Sequence, residues 1–167
     1  WSHAVVSFDR VAELGRTALR HCWEGRPGVV HLDVPETDMT GKVKAEVSPW
    51  QPHQYRRVDR MVPAPEQVER AAAMLAAAEL PIIHAGSGII HADAYDELRR
   101  VAELLHAPVT TSWAGRGVLP ETSELAIPMP FIPLNNEVRN DADLVLTVGS
   151  RLGETDWWGK APYWRHP

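Results

Sequence analysis

The 167-residue sequence has a single cysteine, Cys22, set among residues of helical character, so an internal disulfide is excluded and a reducing compartment is expected. No apolar run approaches the ~20 residues of a membrane-spanning helix, and no secretory signal pattern is visible. A membrane partner is therefore not expected, and a cytoplasmic location is. Basic residues are the minority, 17 against 22 acidic ones for a net charge of -5, and their longest runs are the pairs Arg56-Arg57 and Arg99-Arg100. That balance disfavours nucleic acid. The dinucleotide pattern G-x-G-x-x-G fails because His91 stands where its third glycine belongs, and the acid expected after the second strand is missing at Thr111-Ser112. A nicotinamide cofactor held in the usual way is disfavoured, and a P-loop is absent. The eight histidines have no ligand spacing, so no metal site and no catalytic residue is assigned within the chain.

The sequence is 44% hydrophobic, enough for one core and part of another. Asp9 can cap a helix to about Trp23, with Val11, Leu14, Ala18 and Cys22 along one face; Gly25-Arg26-Pro27-Gly28 stops it. Val29–Val34 has strand composition and ends at Pro35. A lone helix and strand cannot bury both faces, so their partners are expected before residue 1. From Thr37 to Pro65 periodicity disappears and prolines accumulate, including Pro49, Pro52 and Pro63. This reads as an ordered connector, with Trp50, Tyr55, Val58 and Met61 as anchors.

Pro65 suits the first position of an alanine-rich helix with Val68, Ala72, Leu75 and Ala76 on one face. Pro81–Ala85 is a buried parallel strand that stops on Gly86-Ser87-Gly88. Asp93 can cap the following helix, whose stripe is Ala94, Leu98, Val101, Ala102 and Leu105, with i,i+4 pairs Asp96–Arg100 and Arg99–Glu103 on the wet face. Pro108–Ser112 is a second strand; residues 118–133 form a proline-rich loop with room for a short strand. Asn135–Asp141 is a short helix, and Asp143–Gly149 a third strand. Strands alternating with helices imply an α/β fold with a Rossmann-like parallel sheet flanked by helices. In open sheets of this kind ligands bind beyond the carboxyl ends of the strands. Three such ends carry small or hydroxylated residues: Gly86-Ser87-Gly88, Thr111-Ser112 and Gly149-Ser150-Arg151. Each alone is explained by a tight turn, whereas their coincidence favours a binding edge for an anionic ligand such as a diphosphate.

Gly25-Arg26-Pro27-Gly28-Val29-Val30-His31-Leu32-Asp33-Val34-Pro35 resembles the closing strand of the pyrimidine-binding domain of thiamine-diphosphate enzymes of the acetolactate synthase type, departing at Val29, where many members have proline. Pro81–Gly88, Ala107–Thr111, Gly115-Arg116-Gly117, Pro120-Glu121 and Ala142–Arg151 resemble the central domain of the same family, in the same order. The resemblance implies three segments: residues 1–36, the C-terminal end of the pyrimidine-binding domain and hence a helix-strand remnant of another α/β domain; 37–64, an interdomain linker; and 65–167, a central nucleotide-binding-like domain truncated at its C-terminus.

It further implies a 2-oxo acid substrate, a homodimer or homotetramer, and thiamine diphosphate with Mg²⁺ held outside this chain. The activating glutamate is expected before Trp1 and the Gly-Asp-Gly...Asn-Asn motif after Pro167, so this fragment of a decarboxylase or carboligase is expected to be inactive by itself. By the same resemblance FAD or ADP would meet the central domain at Gly86, Ser87, Gly88, Thr111, Ser112, Trp113, Gly149, Ser150 and Arg151. Pro128-Met129-Pro130-Phe131 departs from the Gly-Met-His-Gly-like turn of FAD-binding members, and Gly153–Trp158 lacks the second arginine of synthases. A self-contained nucleotide-binding or purely structural α/β module is the alternative. Trp157, Trp158, Tyr163 and Trp164 are read either as walls of a channel to the thiamine site or as interdomain packing.

Overall fold

A computed structural model describes residues 1–40, 48, 50–59 and 61–165. Pro49, and with it part of the expected connector, lies outside the described residues. The chain divides into two compact units, Trp1–Val62 and Pro63–Pro167.

The first unit is built on a parallel strand pair, β1 (Ser2–Ala4) and β2 (His31–Asp33), with Ser2 opposite His31 and Ala4 opposite Asp33. The expectation that the strand would find no partner after residue 1 is thus corrected: β1 supplies one, and Val5 N–H extends the pairing to the Asp33 carbonyl at 2.8 Å. Three exposed residues of mixed polarity gave β1 no period-2 signal. Between the strands runs α1 (Val11–Trp23). Asp9 does not cap it; Asp9 lies within a 3₁₀ turn, Phe8–Arg10, that leads into the helix. Leu14 and Ala18 are buried, as their spacing requires, while Val29 is 91% exposed and outside the strand. A short helix, α2 (Glu36–Met39), and a 3₁₀ turn, Pro52–Gln54, follow. Of the four expected anchors, Trp50 lies 4.2 Å beneath the Arg16 guanidinium and Tyr55 is half-buried. Val58 and Met61 are exposed, so they anchor nothing in this unit.

The second unit holds three parallel strands in the order β4-β3-β5: β3 (Pro81–Ala85) in the centre, β4 (Val109–Thr111) and β5 (Leu144–Val148) beside it. This is the parallel α/β sheet flanked by helices that the alternation of elements predicts. The helices are α3 (Pro65–Ala77), α4 (Gly88–Ala92), α5 (Tyr95–Leu105) and α6 (Ile132–Asp141). Every residue of β3 is buried, and period-2 alternation gives its two faces different company. Ile83 and Ala85 join Val109, Ile89 and the α5 stripe residues Leu98 and Ala102 in an apolar core. Ile82 and His84 face the other way.

Several local expectations change. Asp93 is not an N-cap; it ends α4 in the left-handed conformation at φ 52°, its N–H bonded to the Ile90 carbonyl. On α5, Arg99 pairs with Asp96 one turn earlier rather than with Glu103. Proline at the second helical position starts α6 at Ile132, three residues before the polar stretch that suggested it. The proline-rich loop contributes only an isolated parallel bridge between Val109 and Ala126. On α3, Val68, Ala72 and Ala76 are exposed and Leu75 only half-buried, so its expected apolar face is not covered by this unit. Asp143 ties strand starts together: its carboxylate accepts from the N–H groups of Glu79 at 2.7 Å and Leu80 at 3.0 Å, which lowers its pKa.

Candidate functional site

The carboxyl ends of β3, β4 and β5 converge as parallel pairing demands. Ala85 is level with Thr111 on one side and Val148 on the other. Beyond Ala85 the loops come into backbone contact. A Cβ on Gly86 would stand 2.4 Å from the Gly149 carbonyl oxygen and 2.5 Å from Ser150 Cα; one on Gly88 would stand 2.6 Å from Gly149 Cα; one on Gly115 would stand 2.6 Å from the Ala85 carbonyl oxygen. Glycine is required here because neighbouring loops fill the side-chain positions. The N–H groups of Gly86 and Gly88 donate to the carbonyls of Val148 and Gly149, both at 2.9 Å.

All nine expected contact residues thus belong to one edge, but their polar groups differ in availability. The Ser112 hydroxyl accepts from Gly115 N–H at 3.1 Å, capping a 3₁₀ turn, Trp113–Gly115. Ser150 donates to Asp156 Oδ2 at 2.9 Å and accepts from Leu152 N–H at 3.1 Å. Thr111 is buried, Ser87 half-buried, and Trp113 and Arg151 are exposed. The outward part of the edge consists of a hydroxyl, an indole and a guanidinium around a glycine-built floor. Such groups can hold a phosphate and an aromatic ring; none is a proton shuttle tuned for chemistry.

Behind this edge lies a polar cluster that motif reading missed. His84, fully buried, meets Thr110 Oγ1 through Nδ1 at 3.0 Å and faces Asp156 Oδ2 from Nε2 at 3.6 Å. Trp164 Nε1 donates to the Asp156 backbone carbonyl at 2.8 Å, its ring stands edge-on to His84 at 5.6 Å, and the Arg139 guanidinium lies 4.8 Å over that ring. Burial and the Arg139 charge push the His84 pKa down to about 4 against the opposing pull of Asp156. Burial likewise pushes Arg139 down to about 10, with Asp156 again opposing. Ser150 joins cluster and edge, since its hydroxyl holds the Asp156 carboxylate. The one signal in the sequence was a histidine inside an otherwise apolar strand, which demands a buried partner. Trp164 is accounted for by packing within this unit, and Trp157 stacks on Tyr163 at 4.2 Å.

Among the described residues no group of three or more His, Cys, Asp or Glu side chains could hold a metal ion, and no helix is long and apolar enough to cross a membrane.

Residues 68–167 match the family described as thiamine pyrophosphate enzyme, central domain. The chain is 36% identical over 168 aligned positions to a Pseudomonas aeruginosa protein provisionally assigned as a 2-ketoarginine decarboxylase, covering 95% of this chain and 28% of that protein. It is 32% identical over 139 positions to the acetolactate synthase large subunit of Corynebacterium glutamicum, covering 78% of this chain and 21% of that protein. A crystal structure of a Mycobacterium smegmatis protein, provisionally a thiamin diphosphate-dependent enzyme, superposes with a TM-score of 0.74 at 24% identity, covering 97% of this chain and 31% of that one. The chain thus spans roughly a quarter of the length of these relatives.

Proposed function

Since the chain belongs to the thiamine pyrophosphate enzyme family and supplies its central domain over residues 68–167, we propose that it forms part of a thiamine-diphosphate-dependent 2-oxo acid decarboxylase or carboligase of the acetolactate synthase type. In this reading the central domain binds a nucleotide, FAD or ADP, and carries no catalytic group. Residues 1–36 end the pyrimidine-binding domain and 37–64 link it to the central domain. In the same reading the thiamine diphosphate and its Mg²⁺ are held by other parts of the enzyme, and the 167 residues alone are inactive.

The observation that carries the nucleotide reading is the convergence of three loops at the carboxyl edge of a parallel sheet, bordered by Ser87, Trp113 and Arg151. Arg151 would pair with a diphosphate and Trp113 would stack on a ring, with Ser87 and Thr111 meeting sugar or ribityl oxygens. Gly86, Gly88 and Gly149 would form the floor, and Ser112 and Ser150 would hold the loops in place. One observation favours the alternative, a structural module: the Gly86 and Gly88 N–H groups are already engaged.

Titration of the full-length enzyme with FAD and ADP, followed by flavin absorbance and thermal shift, separates the two. Binding weakened about tenfold by Arg151→Gln is the expected result. Protein that is colourless and shows no thermal shift with either nucleotide would leave only the structural role. Release of CO₂ from a 2-oxo acid by the full-length enzyme, dependent on thiamine diphosphate and Mg²⁺, tests the reaction class; turnover by residues 1–167 alone would overturn the assignment of catalysis elsewhere.

A further inference from the structure

The first unit contains a cavity unrelated to the sheet edge. It has a volume of 420 Å³ and lies at the C-terminal end of α1, lined by Arg20, Trp23 and Glu24 from the helix end and by Arg56, Arg57 and Asp59 from the segment beyond. Gly25, at φ +62°, and Met61 complete the lining. This volume is within the ~300–1,000 Å³ of small-molecule sites. Three arginines and two acids, Glu24 and Asp59, are among its lining residues, and Glu24 already lies 3.5 Å from His21 Nδ1. None of the three arginines makes an ion pair among the described residues.

Arg56 is held in place. Its guanidinium lies 4.2 Å over the Trp23 ring, and its Nε is buried without a hydrogen-bond partner. A stacked guanidinium loses one face to the indole but keeps its in-plane donors, which match the paired oxygens of a phosphoryl group. The Arg56 Nε is closed to solvent, so the terminal Nη donors are the ones that an oxyanion in the cavity would meet. The negative end of α1 opposes an anion here, so one guanidinium would not suffice, whereas three leave a positive balance. Exposed Trp23 and Met61 add an apolar surface next to the charge. We infer that this cavity binds a small phosphorylated ligand of nucleotide size, its phosphoryl group held by Arg20, Arg56 and Arg57 and its body against Trp23 and Met61. A nucleic-acid polymer fits poorly, because the basic cluster stops at the cavity and the chain carries net negative charge.

Calorimetric titration of the full-length enzyme with AMP, adenosine and inorganic pyrophosphate tests this. AMP and pyrophosphate should bind with Kd below about 1 mM, adenosine at least about tenfold more weakly, and affinity should fall as salt rises. The double variant Arg56→Gln/Arg57→Gln should lose about tenfold or more, and Asp59→Asn, which removes an opposing charge, should gain about twofold to fivefold. All of these titrations are made in the Arg151→Gln background, which weakens the sheet edge and leaves the cavity unchanged, so failure of the cavity and failure of the nucleotide edge are distinguishable. In that background, no binding of AMP, equal affinity for adenosine and AMP, or unchanged binding in the double variant would overturn the assignment.

Discussion

At the scale of single residues, two positions of β3 and its turn make opposite demands on solvent and space. The pKa of His84 is about 4, because burial and Arg139 disfavour its imidazolium more than Asp156 favours it. An unfolded chain takes up that proton near the ordinary value of 6.5, whereas the folded one does so only near 4. The contribution is therefore fully present above pH 6.5, falls as pH drops from 6.5 toward 4, and levels off below. Its size is about 3 kcal/mol by linkage. Urea midpoints measured between pH 7 and 4 should decline in the parent and lose that part of the slope in His84→Gln; parallel slopes would mean that another group sets the pH dependence. Gly86 is limited by space, since its Cβ would meet backbone at 2.4 Å, where no side-chain movement gives relief. Gly86→Ala should cost about 3 kcal/mol or more. Gly15, inside α1 with nothing within 4 Å of a Cβ, is the control, and Gly15→Ala should stabilise by about 0.5–1 kcal/mol. Denaturation of the two variants should shift in opposite directions.

At the scale of elements, what could be read in advance followed from burial. β3 and β5 are apolar runs between punctuating residues, and α5 has an unbroken stripe, so strand, helix and facing could be assigned from pattern alone. β1 could not, because three exposed residues carry no alternation, and its position rests on backbone hydrogen bonds to β2. The polar cluster was illegible for a different reason. His84, Arg139, Asp156 and Trp164 are far apart in sequence and meet only because the chain after β5 folds back over the second face of β3. The edge residues were found because each follows a strand directly, yet no pattern says which hydroxyls are free: Ser150 is engaged by Asp156 and Ser112 by its own turn. The returning segment depends on Trp164, 1% exposed and bonded through Nε1 to Asp156. Trp164→Ala should destabilise by about 3–5 kcal/mol, whereas Trp113→Ala, at an indole 50% exposed, should cost well under half as much. Thermal unfolding of the two variants measures the difference, and equal losses would deny Trp164 its place as the anchor of that segment.

At the scale of the whole chain, the two units differ in how much core each owns. Every residue of the main apolar cluster, from Ile83 to Leu119, lies in the second unit, together with the buried faces of β3, β4 and α5. Among the described residues of the first unit only Val5, Leu14 and Ala18 are buried apolar side chains. Three small or medium side chains make a small core for a unit of that length. The first unit therefore needs surfaces beyond its own, consistent with its proposed place at the end of a larger domain, while the second can order itself. Expressed separately, residues 63–167 should unfold in one cooperative thermal transition, and residues 1–62 should give the far-ultraviolet dichroism of an unordered chain. A cooperative melt from the shorter piece would mean that the cation–π pairs Arg16–Trp50 and Arg56–Trp23 and the two-stranded sheet hold that unit together far more strongly than their ~0.5–2 kcal/mol apiece allows.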